Sequence, residues 1–232
     1  METRLYVALT SRDIAGGSNL LGTLAGLPVG MKVGLELFVS RGPSLLDEIR
    51  DAGFPLFLDL KFHDIPHTVA GAVRSACRYA PSLLNIHASG GMEMMRAAAD
   101  AVRGDTRILA VTVLTSLSGR DLSLVGLRGD PAAMVTRMAE AARDSGIHGV
   151  VCSPMEASAV REVTGPDFLI VTPGIRPAGS DKGDQKRTST PLEAVMAGAT
   201  ALVVGRPVTM ALEPRSAAES LLSEIKPAFG ER

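Results

Sequence analysis

The segment FPLFLDLKFHDIP, residues 54–66, begins as an apolar run and ends in charged residues. The apolar half is typical of a buried β-strand. Because successive side chains of a strand point to opposite faces, Phe57, Asp59 and Lys61 should share one face, and the leucines between them the other. We therefore expect the leucine face to pack against helices and the charged face to point into an open mouth of the fold.

Seven further apolar runs occur along the chain, and segments with helical periodicity separate them. The eight predicted strands are residues 4–9, 29–34, 55–60, 83–88, 107–114, 148–152, 168–173 and 200–205. Predicted helical segments include residues 42–53, 66–80, 90–104 and 130–146. Eight βα units in 232 residues predict an α/β protein with one domain, residues 1–232, built as a closed (β/α)8 TIM barrel. The alternative is an open doubly wound sheet, but no GxGxxG motif follows the first strand.

The composition narrows the classes of function. The chain has 24 lysines and arginines and 25 acidic residues, so it has no net positive charge to attract nucleic acid. Aromatic residues make up only 3%, with no tryptophan, and leave few side chains on which bases could stack. No apolar run is long enough to span a bilayer, and the first residues lack a signal-peptide pattern. The two cysteines, Cys77 and Cys152, have no CxxC spacing, as expected in a reducing compartment. These features predict a cytoplasmic protein without a membrane partner.

Charged residues of both signs cluster where strands two and three end. Lys32 lies near the end of strand two, Asp59 and Lys61 lie at the end of strand three, and Asp64 begins the loop that follows. Alternating signs would keep each charge compensated in a partly desolvated pocket. The cluster could be a structural ion-pair network at the rim, but polar groups at the carboxyl ends of barrel strands usually take part in chemistry. We therefore treat these four residues as candidate catalytic groups.

Two long connections and the end of strand eight suggest where an anion would bind. Residues 115–130 and 172–190 are predicted to be structureless binding loops, and the second contains Arg176 and Gln185. After strand eight, Gly205 would let a phosphate approach the backbone, and Arg206 could hold its oxygens. A phosphate site formed by these residues matches the usual position after strands seven and eight of a barrel.

The motif DLKFHDIP, residues 59–66, resembles the signature of the orotidine 5′-phosphate decarboxylase family. The resemblance continues in order through KVGLELF, NIHASGG, VTVLTS, TPGIRP with the downstream Gln185, and VVGRPVT, across nearly the whole chain. It implies decarboxylation of orotidine 5′-phosphate to UMP, the last step of UMP synthesis, without a cofactor or a metal.

The resemblance also implies roles for individual residues. Lys61 would protonate C6 of the pyrimidine, with Lys32 and Asp59 in the same site, and Asp64 would enter the site of the partner subunit in a homodimer. The other matching positions are the donated Ile65 and Thr68, Thr115 at the pyrimidine edge, Pro173 at the base of the pocket, and Arg176, Gln185, Gly205 and Arg206 at the phosphate.

One position departs from the family pattern. The first strand of the family usually ends in Asp, which binds the ribose hydroxyls, whereas this chain has Thr10. A hydroxyl can still make one hydrogen bond, but it lacks the charge and the two oxygens of a carboxylate. The nearby Asp13 could substitute only if the strand bulged. The substitution concerns ribose affinity more than the type of reaction.

Three other functions are compatible with parts of the pattern. A Mg²⁺-dependent phosphosugar decarboxylase or synthase shares the D-x-K-x-x-D motif, but it would need acidic ligands where Lys32 lies. A Schiff-base aldolase would need a neutral lysine, whereas the flanking carboxylates favour the protonated form of Lys61. A non-catalytic nucleotide-binding homologue would explain Thr10 but not the retained charges. His63 and His67 lack a third ligand and straddle Pro66, so we predict no metal site there.

Overall fold

Eight parallel strands pair in chain order, and the last pairs with the first to close a barrel. A computed structural model describes residues 3–10, 19–126, 129–177 and 189–229. The strands are β1 Leu5–Leu9, β2 Gly30–Gly34, β3 Leu56–Phe62, β4 Leu83–His87, β5 Arg107–Val111, β6 Gly149–Val151, β7 Leu169–Thr172 and β8 Ala201–Val204. The predicted (β/α)8 barrel is therefore confirmed.

At least one helix lies on each connection between strands, and two helices come after the last strand. Their bounds are Leu20–Leu24, Leu35–Arg41, Ser44–Asp51, Pro66–Cys77, Gly91–Ala101, Gly119–Leu124, Pro131–Asp144, Ala157–Thr164, Pro191–Met196, Arg206–Thr209 and Pro214–Phe229. Several begin at proline, whose fixed φ suits the first helical turn and whose missing N–H has no partner to lose there. The Asp130 carboxylate caps the helix that starts at Pro131 by accepting hydrogen bonds from the N–H groups of Ala132 and Ala133.

The prediction that residues 115–130 are structureless was wrong. The helix Gly119–Leu124 lies within this connection, and a reciprocal cap starts it. The Ser118 hydroxyl accepts a hydrogen bond from the N–H of Asp121, and the Asp121 carboxylate accepts one from the N–H of Ser118 at 2.8 Å. This pair satisfies two N–H groups that a helix start leaves without partners, and it stabilises even a helix of six residues.

The barrel has two apolar layers, and β3 contributes to both. Leu56, Leu58 and Leu60 belong to the outer layer between strands and helices, whereas Phe57 lies inside the barrel. The Phe57 ring packs edge-on against Tyr6, with ring centroids 5.7 Å apart. The two faces predicted for this strand are thus confirmed.

A glycine makes room for the aromatic pair inside the barrel. A Cβ on Gly30 of β2 would lie 2.4 Å from the Tyr6 ring, which is closer than real contacts allow. Tyr6 and Phe57 therefore fill the interior below the charged ends of β2 and β3. Among the helices described here, none combines the length and the apolar character needed to cross a membrane.

Candidate active site

A cavity of about 180 Å³ opens at the carboxyl ends of the strands. The predicted residues Lys32, Asp59, Lys61, Thr115 and Pro173 line it, and the rest of its wall is mostly apolar. A larger crevice, of about 720 Å³, lies at the opposite end of the barrel, but none of the four candidate catalytic residues lines it. Because barrel enzymes place their chemistry at the carboxyl ends of the strands, the smaller cavity is the candidate active site.

Asp59 lies between two lysines in this cavity. One carboxylate oxygen is 2.5 Å from Nζ of Lys61, and the other is 2.9 Å from Nζ of Lys32. β2 and β3 are paired with Lys32 beside Phe57 and Gly34 beside Asp59, which brings the two strand ends together. The predicted array of alternating charges is therefore present for three of its four members.

The lysines also determine the charge state of Asp59. Burial alone would raise the pKa of this carboxyl group, because desolvation disfavours the charged form. The charges of Lys32 and Lys61, with hydrogen bonds from Lys61 and Asn85, outweigh burial and lower the pKa below its ordinary value. Asp59 is therefore a carboxylate at neutral pH, which fixes two ammonium groups at the edge of an apolar cavity.

The backbone of β3 is irregular at Lys61. Its φ is +52°, in the left-handed region that residues other than glycine rarely adopt. The pairing between β3 and β4 shifts register between Leu58 and Phe62. Such a conformation costs on the order of 1–3 kcal/mol and tends to occur at functional sites. The sequence predicted the correct face for Lys61 but not this bulge.

Asn85 is a buried polar residue of β4 and is not among the site residues predicted from the sequence. Its side-chain oxygen accepts a hydrogen bond from the N–H of Lys61 at 2.8 Å, and its amide group donates one to Asp59 at 2.7 Å. The sequence does contain a sign of this role: Asn85 is a lone amide in the apolar run LLNIH, and a buried amide needs hydrogen-bond partners.

Asp64 does not enter the cavity of its own chain. It is exposed, and its carboxylate accepts a hydrogen bond from the N–H of Ile65 at 2.7 Å. Ile65 and Thr68 are exposed beside it, at the start of the helix Pro66–Cys77. These three residues therefore do not line the cavity that contains Asp59 and Lys61.

Three of the four predicted phosphate-binding residues lie just after β7 and β8. Arg176 is buried, and its guanidinium donates a hydrogen bond to the carbonyl of Ile175 at 2.9 Å. Gly205 directly follows β8, and Arg206 is exposed at the start of a short helix. The two arginines follow neighbouring strands and therefore lie on the same rim of the barrel. Gln185 is outside the described residues.

Thr10 is exposed directly after β1, which lies between β2 and β8. Its strand is thus next to the one that carries Lys32 and the one that leads to Gly205. Asp13, which could replace the missing carboxylate, is outside the described residues.

The histidines and cysteine near the cavity do not form a metal site. The rings of His63 and His87 lie 5.5 Å apart, and burial, then His63 and Lys61, lowers the pKa of His87. Among the described residues, no group of three or more His, Cys, Asp or Glu is arranged to hold a metal ion. Burial raises the pKa of the Cys152 thiol, which lines the cavity as a neutral group.

Comparisons with known proteins identify similar chains. The model of the orotidine 5′-phosphate decarboxylase / HUMPS family matches residues 3–221. Orotidine 5′-phosphate decarboxylase of Moorella thermoacetica is 47% identical, over 97% of this chain and 93% of its own. That of Alkalilimnicola ehrlichii is 51% identical, over 97% of both chains. The crystal structure of orotidine 5′-phosphate decarboxylase from Lactobacillus acidophilus superposes with a TM-score of 0.85 at 35% identity, covering 97% of this chain and all of the other.

Proposed function

The chain belongs to the orotidine 5′-phosphate decarboxylase / HUMPS family, and we propose that it decarboxylates orotidine 5′-phosphate to UMP with Lys61 as the proton donor. The single observation that carries the assignment of roles is the placement of Lys32, Asp59 and Lys61 around one cavity at the carboxyl ends of β2 and β3. The reaction is inferred from the names of the relatives, and the arrangement of these three residues indicates which groups would perform it.

The reaction needs positive charge and a proton at one carbon atom. The bond between C6 and the carboxylate breaks, CO₂ leaves, and the electron pair stays on C6. The Lys61 ammonium then gives a proton to C6, becomes a neutral amine, and regains a proton from solvent. No carbonyl adjacent to C6 delocalises the charge well, so a preorganised ammonium is the main source of stabilisation.

Asp59 would orient Lys61. Its carboxylate lies 2.5 Å from Nζ of Lys61, and the contact with Lys32 holds the carboxylate from its other side. The substrate carboxylate would approach the same region, so repulsion from Asp59 would be relieved as CO₂ departs. A Schiff-base aldolase would need a neutral lysine, whereas Lys61 forms an ion pair with Asp59, which disfavours that reaction.

The phosphate of the substrate would bind away from the reacting carbon. Arg176 and Arg206, on the rim after β7 and β8, are the proposed partners, together with Gly205 and with Gln185. Thr115 would contact the pyrimidine and Pro173 the base of the pocket, since both line the cavity. Thr10 would contact the ribose. Binding energy from the phosphate can then be used to organise the site around C6.

We further propose that the active site is completed in a homodimer. Asp64 and Ile65 are exposed, Ile65 by 66%, and neither lines the cavity of its own chain. Leu35 and Val39, on the helix after β2, are 54% and 81% exposed. Exposed apolar residues on neighbouring connections indicate a surface that binds another protein surface. A second copy docked there would receive Asp64, Ile65 and Thr68 next to its own Lys61.

The position of Lys32 disfavours a Mg²⁺-dependent phosphosugar reaction. A metal that stabilises an enediolate needs acidic ligands, whereas the ammonium of Lys32 lies 2.9 Å from Asp59. The absence of a cofactor and the cytoplasmic location stay predictions.

The test is a spectrophotometric assay of orotidine 5′-phosphate, with chromatography of the product. The protein, freed of metal with EDTA, should consume the substrate and form UMP at the rate of the untreated protein. Loss of activity with EDTA, restored by Mg²⁺, would contradict the proposal and favour the metal-dependent alternative.

A further inference from the structure

Asn85 occupies a gap in the pairing between β3 and β4. Phe57 and Leu58 pair with Leu83 and Leu84, and the next pair is Phe62 with Ile86. The residues between Leu58 and Phe62 thus bulge away opposite Asn85. A bulge leaves backbone groups without their ladder partners, and a buried N–H without a partner is costly.

The Asn85 side chain replaces the missing ladder partner. Its oxygen accepts the hydrogen bond of the Lys61 N–H, and its amide group donates to the Asp59 oxygen that also contacts Nζ of Lys61. The orientation of the amide is unambiguous, because a backbone N–H only donates and a carboxylate only accepts. One side chain therefore connects the backbone of Lys61 with the carboxylate that contacts its ammonium group.

We propose that Asn85 is a positioning residue, which holds Lys61 in its left-handed backbone conformation and Asp59 in the orientation that directs Nζ of Lys61 into the cavity. The inference deepens the proposed decarboxylase function and rests on it. Asn85 is 1% exposed and does not line the cavity, so it acts on the reaction through Asp59 and Lys61 and not through the substrate.

The first test is the Asn85→Leu variant, which keeps the approximate size of the side chain and removes both hydrogen bonds. Because a displacement of about 1 Å at a reacting group can cost about 100-fold in rate, we expect kcat to fall about 100-fold. KM for orotidine 5′-phosphate should stay within about threefold, since the proposed phosphate contacts are unchanged. A folded variant with kcat within threefold of the native value, or with a rise in KM that accounts for the loss, would overturn the inference.

Thr112→Val is the matched control. Thr112 is also buried, directly after β5, and its hydroxyl donates a hydrogen bond to the carbonyl of Val151 at 3.1 Å. It takes no part in the hydrogen bonds that join Asn85 to Asp59 and Lys61. Loss of one buried hydrogen bond should lower stability and leave kcat and KM within about threefold. A 100-fold fall in kcat for this variant too would show that the assay reports general destabilisation, and would overturn the assignment to Asn85.

The Asn85→Asp variant tests the positioning role of Asn85 with a conservative substitution. A protonated Asp keeps one acceptor for the Lys61 N–H and one donor for Asp59, whereas its ionised form places two carboxylates side by side. Asn85 contacts Asp59 and Lys61 directly, and the charged or titratable groups that interact with these two are Lys32 on β2 and His87 on β4, with His63 beside His87. We expect the activity of the variant, relative to native protein at the same pH, to rise from pH 8 to pH 6. A constant ratio would contradict the inference.

A structural measurement separates this inference from the proposed function. If the native protein fails to convert orotidine 5′-phosphate, the proposed function is wrong, and the kinetic tests above do not apply. A crystal structure of Asn85→Leu still decides whether Asn85 holds the bulge. A negative φ at Lys61 would support the inference, and a φ that stays close to the native +52° would overturn it.

Discussion

Replacing Asp59 with Asn should show most clearly how the charged cluster is held together. The change keeps the shape of the side chain and removes its negative charge. The native carboxylate is mostly buried and contacts Nζ of Lys61 at 2.5 Å and Nζ of Lys32 at 2.9 Å. In the variant the two ammonium groups face each other across a neutral amide.

The expected loss of stability follows from the burial of these groups. Breaking a buried ion pair by removing one partner costs about 3–5 kcal/mol, because a charge is left without compensation. The side chain of Lys61 is 29% exposed and that of Lys32 is 14% exposed, so solvent screens part of the repulsion. We therefore expect the lower end, a decrease of about 3 kcal/mol in the free energy of unfolding at pH 7.

The measurement is urea unfolding followed by circular dichroism, with Asp47→Asn as the matched control. Asp47 likewise forms an ion pair, 2.8 Å from Arg50, but both of these side chains are about half exposed. Because exposed ion pairs contribute little to stability, the control should leave the urea midpoint unchanged.

The effect of Asp59→Asn should also depend on pH in a defined direction. The pKa of Asp59 is lowered in the folded protein, so its contribution to stability is present above its ordinary pKa, about 3.9. This contribution is lost as the pH falls through the folded pKa. The stability difference between native protein and variant should thus be full at pH 7 and shrink below about pH 4. A difference at pH 7 no larger than that of the control, or one that grows with acid, would refute the reasoning.

Three further predictions concern the reaction. Mixing the inactive variants Lys61→Ala and Asp64→Ala should restore part of the activity once subunits exchange, and no recovery after confirmed exchange would contradict a shared site. Gly34→Ala should lower kcat about two- to tenfold, because the new Cβ would lie 3.2 Å from Nζ of Lys32 and would displace this ammonium group. Steady-state kinetics equal to those of native protein would contradict this prediction. Arg206→Ala should raise KM at least about tenfold, as expected for the loss of a charge-assisted hydrogen bond to phosphate, and an unchanged KM would remove Arg206 from the phosphate site.

The sequence predicted those parts of the structure that follow from periodicity. Alternation along residues 55–60 correctly separated Phe57 and Asp59 from the leucines, and the spacing of eight apolar runs predicted the closed barrel. Lys32 and Lys61 were found because charges at the carboxyl end of a buried strand require compensation.

Features that depend on irregular backbone or on contacts between distant segments were missed. Lys61 reaches the predicted face through a bulge with positive φ, and strand alternation does not reveal a bulge. Asn85 gains its role from two residues more than 20 positions earlier in the chain. The helix Gly119–Leu124 is only six residues long, and its start depends on one short-range cap at Ser118.

The most direct test of the central claim compares native protein and Lys61→Ala in the conversion of orotidine 5′-phosphate, with substrate absorbance and UMP formation followed in parallel. Native protein should form UMP in step with substrate loss. Lys61→Ala, folded as judged by circular dichroism, should lose nearly all of this activity, because it lacks the proton donor and the ammonium that stabilises the developing charge. No turnover by native protein, or undiminished turnover by Lys61→Ala, would contradict the account.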